Sequence, residues 1–315
     1  MSEASVRRVA VVGTGVIGAS WATWFLARGL DVVATDSAPG AEARLREAVA
    51  AQWPSMERLG LAPGASPDRL RFEASLERAV AESEFVQENG PEDLEIKRAL
   101  FHRLDDAAPA EAILASSSST LLMSDVQSAC AHPERVALGH PFNPPHLIPL
   151  VEVVGGRDTS ETVVERTMAF YRGVGKHPIR LRKEIRGHVA NRLQAALWRE
   201  ALHLVQAGVA SVADVDAAIA HGPGLRWALL GPFVNLHLSG GEGGIKELFG
   251  KPLWRATQAM MRDLGDVSFS AVLDAEVADG VQEELAAFDV SDVVRCRDDL
   301  LLHLLRLKAE AGRLP

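Results

Sequence analysis

VAVVGTGVIGAS, residues 9–20, is the stretch whose reading decides the fold. A strand-length apolar run, Val9 to Val12, leads into Gly13, Gly15 and Gly18 at G-x-G-x-x-G spacing, and Ala19 to Ala27 follows as a stretch able to be helical. Gly13 permits the tight turn, Gly15 lets the backbone approach a pyrophosphate, and Gly18 allows close packing of helix on strand. The unpaired N–H groups of the helix N-terminus then face the phosphates. The next strand, DVVATD, ends in Asp36, 18 positions beyond Gly18, where a carboxylate accepts hydrogen bonds from an adenosine ribose diol and repels a 2'-phosphate. NAD is therefore expected rather than NADP. The plainer reading is that Asp36 caps the strand-to-helix turn. Arg44 and Arg46, in a helical stretch of alternating charge, are expected to be solvated.

Outward from this unit, short Val/Ile/Leu-rich runs alternate with amphipathic stretches as far as about Arg182, the pattern of a parallel sheet with crossover helices. The strands expected are Val9 to Val12, Val32 to Thr35, Phe85 to Glu88, Ile113 to Ser116, Val136 to Gly139, Leu150 to Val154 and Pro178 to Leu181. After Lys183 only helical spacing recurs, in Val189 to Ala207, Val212 to Ala220, Leu253 to Leu264 and Val290 to Gly312. The fold class expected is an α/β Rossmann-type doubly wound sheet over residues 1–187, followed by an all-helical C-terminal domain over 188–315. Gly240, Gly241, Gly243 and Gly244 mark a flexible loop in the second domain.

Composition excludes several classes of function. Of the 315 residues 47% are hydrophobic and 24% charged, enough for a packed core without a disordered tract. A net charge of -9 argues against nucleic acid and anionic membrane surfaces as partners. Cys130 and Cys296 lie far apart and match no metal-ligand spacing, so neither a disulfide framework nor a metal site is expected. The N-terminal MSEASVRR runs directly into VAVVG, too short for a signal segment, and a cytoplasmic location is expected.

The chemistry is sought between Ile113 and Val154, in ILASSSSTLLMSD and GHPFNPPHLIPLVEVV. Oxidation of a secondary alcohol needs a base for the hydroxyl proton, and a neutral histidine suits that task. His140 closes a strand at its carboxyl end, where open α/β sheets place their ligands. Glu152, in the next strand, could fix the imidazole tautomer. On pattern alone alternatives stay open: a histidine before proline also caps loops, and a glutamate in an apolar strand can pair with any cation.

The glycine fingerprint, QENGPEDLEIK, ASSSSTL, HPFNPPHLIPLVEVV and GHVANRLQAALWREALHLV together resemble the 3-hydroxyacyl-CoA dehydrogenase family over most of the chain. The resemblance implies a catalytic set falling on Ser119, His140, Glu152 and Asn191, with Ser118 the runner-up in the serine quartet 116–119. It also implies that Glu92, Lys97 and Asn143 line the nicotinamide half of the NAD site; without it Lys97 would be read as a solvated lysine in a helix pair. Asn89 and Gly90 depart from the family, which usually has an apolar pair there. A homodimer is implied, and the apolar helices of the second domain agree with it.

Family members acting on acyl-CoA use lysine-rich helices for the CoA phosphates, yet no lysine precedes Lys97. GLRWALLGPF places Arg226 and Trp227 before the GPF turn, and a guanidinium suits a free carboxylate. The resemblance is greatest to the branch acting on free L-3-hydroxy acids, L-gulonate or carnitine. PEDLE, SSSST and NPPHLIPL lean toward the first substrate, ALWREAL and GGEGG toward the second. For carnitine, Trp198 or Trp227 could offer the ammonium an aromatic face, although a tryptophan on an apolar helix is commonly core. NAD-dependent oxidation of the 3-hydroxyl to a 3-keto acid is the function expected. The alternatives are a short-chain 3-hydroxyacyl-CoA dehydrogenase and a non-catalytic dinucleotide-binding protein.

Overall fold

Strand β1, Arg8–Val12, has four of its five residues buried, and β2, Asp31–Thr35, repeats the pattern. Apolar residues on both faces of consecutive positions suit a strand sandwiched between helices. The computed structural model describes residues 6–312. The chain divides by contacts into two units, Met1–Arg192 and Leu193–Pro315.

In the first unit the elements run β1, α1 (Val16–Ala27), β2, α2 (Ala41–Leu59), β3 (Leu70–Phe72), α3 (Leu76–Val80), β4 (Phe85–Glu88) and α4 (Leu94–Ala107). There follow β5 (Ile113–Ser116), α5 (Met123–Val126), β6 (Val136–Pro141), β7 (Leu150–Gly155), α6 (Glu161–Gly173), β8 (His177–Arg180) and the start of α7 (Ala190–Gln206). The strands form one sheet in the order β3-β2-β1-β4-β5-β6-β7-β8. Each of the seven expected strands is present. The three-residue edge strand β3 escaped the sequence reading because LRF is too short to carry a period.

One pairing departs from the parallel expectation. β6 and β7 are antiparallel, with β8 parallel to β7, so the last two strands run against the others. The eight residues between Pro141 and Leu150 are too few for a helical crossover but enough for a hairpin-like return, which explains the reversal. On one face Phe101 and Leu104 of α4 pack over Val86, Leu114 and Leu138. An aromatic group includes Trp21, Phe25, Phe85, Phe170 and Tyr171, with the Phe85 and Phe170 rings 3.9 Å apart between centroids.

The second unit is helical: the rest of α7, then α8 (Val212–Ala220), α9 (Pro223–Trp227), α10 (Pro232–Leu238), α11 (Gly244–Gly250), α12 (Pro252–Asp263), α13 (Ala271–Leu285) and α14 (Val290–Ala311). The glycine-rich segment, expected as a loop, carries regular structure. Gly241–Gly243 forms a 3-10 turn and Gly244 opens α11. Among the described residues no helix is long and apolar enough to cross a membrane.

Candidate active site

The carboxyl ends of β1, β2, β4, β5 and β6 lie along one edge of the sheet, and candidate residues of the first unit gather there. Gly13 adopts φ 82°, and a Cβ on it would lie 2.8 Å from the Asn89 carbonyl oxygen. On Gly18 a Cβ would run into the Gly13 carbonyl, whereas in front of Gly15 a Cβ would meet nothing within 4 Å. The glycines thus close the turn, press α1 against it and leave open space where Gly15 caps the helix with no side-chain cap bond. That cradle fits the pyrophosphate of NAD.

Asp36 faces the same loop. Its carboxylate accepts from Thr14 N at 2.7 Å and Thr14 Oγ1 at 3.0 Å, and from Ala38 N at 2.8 Å. Burial pushes this carboxyl up, but those bonds and nearby Arg44 outweigh it and hold it below the usual range. Asp36 therefore does cap its turn, and it stays ionised beside a hollow of about 650 Å³ lined also by Gly40, Arg46 and Phe72. Arg44 and Arg46 are both exposed, as expected; Arg46 pairs with Glu42 at 2.8 Å and Arg44 donates to the Pro39 carbonyl at 2.8 Å.

At the end of β4, the polar pair Gln87–Glu88 is fully buried in an otherwise apolar strand. Glu88 accepts from Lys97 Nζ at 2.7 and 2.9 Å, from Ser116 Oγ at 2.6 Å and from Gly90 N at 2.6 Å. Lys97 is only 1% exposed, so the solvated-lysine reading is overturned. A desolvated ammonium needs a partner, and Glu88 with the Gly90 carbonyl supplies it. The unusual pair Asn89–Gly90 also has a physical reason. Asn89 Nδ2 donates to the carbonyls of Gln87 and Val12, tying β4 to β1, and a Cβ on Gly90 would lie 2.9 Å from Glu88 Oε1.

The serine quartet separates by partner. The Ser116 hydroxyl goes to Glu88, that of Ser117 to Asn89 Oδ1 at 2.7 Å and that of Ser118 to Glu92 Oε1 at 2.7 Å. Ser119 alone has no partner for its hydroxyl among the described residues, and it is half-buried. Glu92 also accepts from Thr120 N and Oγ1; burial raises its carboxyl, and these bonds overcome that and lower it. Glu92 thus anchors the serine loop. Asn143 is exposed and precedes Pro144 through a cis peptide.

His140 and Glu152 are cross-strand register partners in the antiparallel pair, which puts both side chains on one face. His140 Nδ1 lies 2.9 Å from Glu152 Oε2, and both residues are buried. The other carboxylate oxygen accepts from Val189 N at 2.8 Å and Ala190 N at 3.0 Å, at the start of α7. Burial raises the Glu152 carboxyl, but the bonds from His140, Ala190 and Val189 prevail and lower it, so it stays ionised. Asn191 Nδ2 reaches the Ser119 carbonyl at 3.5 Å. Gly139 is required beside His140, because a Cβ there would collide with the Tyr171 hydroxyl, itself bonded to Gln87 Oε1 at 2.6 Å.

His188, which the sequence reading passed over, stands next to this pair, its ring centroid 5.1 Å from that of His140. Nothing in RGHVAN marks it by period. The polar QE ending of an apolar strand was a usable signal for Glu88. Arg226 and Trp227 are exposed on α9 of the second unit, and Trp198 lines an apolar hollow of about 250 Å³ there with Asp216 and Val205. A hollow of about 680 Å³ in the first unit opens among residues that precede β1, β4 and β5, including Val6, Glu84 and Ala112; no candidate residue lines it.

The chain carries two family signatures: residues 8–185 match the NAD-binding domain of 3-hydroxyacyl-CoA dehydrogenase, and residues 187–270 its C-terminal domain. It belongs to the 3-hydroxyacyl-CoA dehydrogenase family. Among curated relatives, the L-carnitine dehydrogenase of Streptomyces griseus is 51% identical, over 98% of this chain and 91% of that protein. The L-carnitine dehydrogenase of Bacillus cereus is 45% identical, over 98% and 94% respectively. The solved structure of 5-formyl-3-hydroxy-2-methylpyridine 4-carboxylic acid 5-dehydrogenase, described as an NAD+-dependent dismutase, has TM-score 0.83 and 28% identity, covering 96% of this chain and 99% of that one. This family member is an NAD-dependent dehydrogenase acting on a CH–OH group.

Proposed function

We propose that the chain oxidises the 3-hydroxyl of L-carnitine to the 3-keto acid with NAD. The observation that carries the chemistry is the His140–Glu152 bond. Its partner on Nδ1 is an ionised acid, so Nδ1 bears the ring proton and Nε2 keeps its lone pair for the substrate hydroxyl. Bound NAD supplies the acceptor for the hydride that leaves carbon 3. His140 takes the hydroxyl proton on Nε2, and Glu152 stabilises the imidazolium that results. Ser119, with its uncommitted hydroxyl, and Asn191 orient the reacting oxygen. The glycine loop and Asp36 hold the adenosine half of NAD. Glu92, Lys97 and Asn143 act toward the nicotinamide half, Lys97 through Glu88 and Gly90.

The choice of L-carnitine over L-gulonate rests on relatives 43–51% identical over nearly the whole chain that carry that activity in their names. The dearth of lysine before residue 97 argues against a CoA handle. Arg226 is assigned to the substrate carboxylate, with Trp227 and Trp198 as aromatic faces for the ammonium. The helical part from residue 188 is read as the substrate and dimerisation domain, and a homodimer in the cytoplasm, where Cys130 and Cys296 stay reduced, completes the proposal. The test is turnover, followed by reduced-nicotinamide absorbance, on L-carnitine, L-gulonate and 3-hydroxybutyryl-CoA with NAD or NADP. L-carnitine with NAD is expected to lead, and Arg226→Met to raise its KM about 10- to 100-fold, the scale of a lost charged contact. Turnover of the CoA ester alone would sink the assignment.

A further inference from the structure

His188 is buried, with 2% of its surface exposed, and adopts φ 51°, the one positive φ outside glycine among the described residues. A ring-bearing residue is strained there and persists only where its surroundings enforce it. Gly187 before it, at φ 74°, completes the bend that delivers Val189 and Ala190 to Glu152. Nε2 of His188 lies 3.0 Å from the Ser118 carbonyl oxygen, which can only accept, so Nε2 bears the proton. Nδ1 is buried and has no hydrogen-bond partner.

The charged and titratable groups facing this ring are His140 from β6, Glu152 from β7 and Glu92 from the loop after β4. Burial is the largest influence and lowers the ring below its usual value of 6.5, with His140 adding to the effect; the Ser118 carbonyl and the two carboxylates oppose it. Protonating Nδ1 would create a buried N–H without an acceptor. It would also place a second cation against the imidazolium that His140 becomes, in a region of low effective dielectric.

We propose that His188 is a positioning residue for the dehydrogenation: its neutral ring pins the serine loop through Ser118 and spares His140 a competing positive charge when it takes the substrate proton. This rests on the reading of His140 as the base. His188 has no need to touch substrate. It acts through the loop that carries Ser119 and through the field at His140.

The sign of the pH effect follows. A histidine depressed in the folded state stays neutral there while its unfolded counterpart charges, so stability is full above 6.5 and falls as pH drops through the folded value. Activity falls over the same range, because the His188 ring must be neutral.

Nitrogen-15 imidazole resonances of the wild-type chain read the ring directly. A neutral ring with its proton on Nε2 at pH 7, titrating below 6.5, is the result expected; a doubly protonated ring or the opposite tautomer overturns the proposal. In the kinetic arm, His188→Phe should lower kcat about tenfold, the scale of one buried hydrogen bond. His188→Asn, which can still donate to Ser118, should recover part of the loss. The acid limb of log kcat/KM should lose the ionisation of residue 188 and so be less steep in both variants than in the wild type, with the Kd of NAD unchanged. A limb as steep as that of the wild type, with kcat within twofold of it, would also overturn it. Full activity in His140→Asn would instead refute the base itself, a result separable from the resonances of residue 188.

Discussion

The direction of a single hydrogen bond sets what His140 can do. With Nδ1–H committed to Glu152 Oε2 at 2.9 Å, only Nε2 can receive a proton, and the second carboxylate oxygen, held by Val189 and Ala190, keeps the acid from rotating away. Replacing His140 with Asn should leave the Kd of NAD unchanged and lower kcat by about 10² to 10⁴-fold, the scale of general-base catalysis. Loss of cofactor binding in that variant would assign the ring a structural task. His140 and Glu152 stood out in the sequence as a histidine closing an apolar strand and a glutamate within the next one, but pattern left alternatives open and the family resemblance joined them as a pair. For the serine quartet the resemblance pointed to Ser119 with Ser118 as runner-up, and the pattern alone could not separate them. Four identical side chains differ only in their partners, and Glu88, Asn89 and Glu92 take three of them from other parts of the chain.

At the level of elements, β4 and α4 are joined by the buried Glu88–Lys97 pair, and Ser116 ties β5 to the same carboxylate. Removing one member strands a charge in the interior. Lys97→Met should cost about 3–5 kcal/mol in urea unfolding, and pairing it with Glu88→Gln should restore part of that loss. If the single variant unfolds at the wild-type midpoint, the pair is no anchor. The glycine unit was legible by its spacing, the seven longer strands as short apolar runs between amphipathic stretches, and the helices Val212–Ala220 and Val290–Ala311 by their helical period. The edge strand β3 and the reversal of β7 were not, since three residues carry no period and strand direction is decided by partners elsewhere in the chain. Lys97 looked like a surface helix residue because helical spacing does not record that a strand-end carboxylate lies beneath it.

Across the whole molecule the two units differ in how they satisfy their apolar residues. Among described residues of the second, the buried hydrophobic side chains are Val205, Leu248, Leu273 and Leu302, while Phe233, Phe269 and Val272 are 77%, 78% and 77% exposed. Monomers rarely leave so much apolar surface to water. Under the proposed homodimer such a surface would lie against a second copy of the chain, a closed two-fold pair being the commonest arrangement. Sedimentation equilibrium at micromolar concentration should therefore return twice the 33.9 kDa chain mass, and Phe269→Asp should weaken the association at least tenfold. A wild-type monomer under those conditions would refute the pairing.

The antiparallel return from β6 to β7 means that His140 meets Glu152 because of ladder register, independent of the number of residues that separate them. Lengthening the connection 142–149 can reshape whatever rests against it and leave the two side chains opposed. Slipping either strand by one residue turns its member to the far side of the sheet and separates the pair at a stroke, with every residue still present. Evolution can therefore remodel the rim of this site through insertions while the histidine–glutamate pair stays fixed by the backbone.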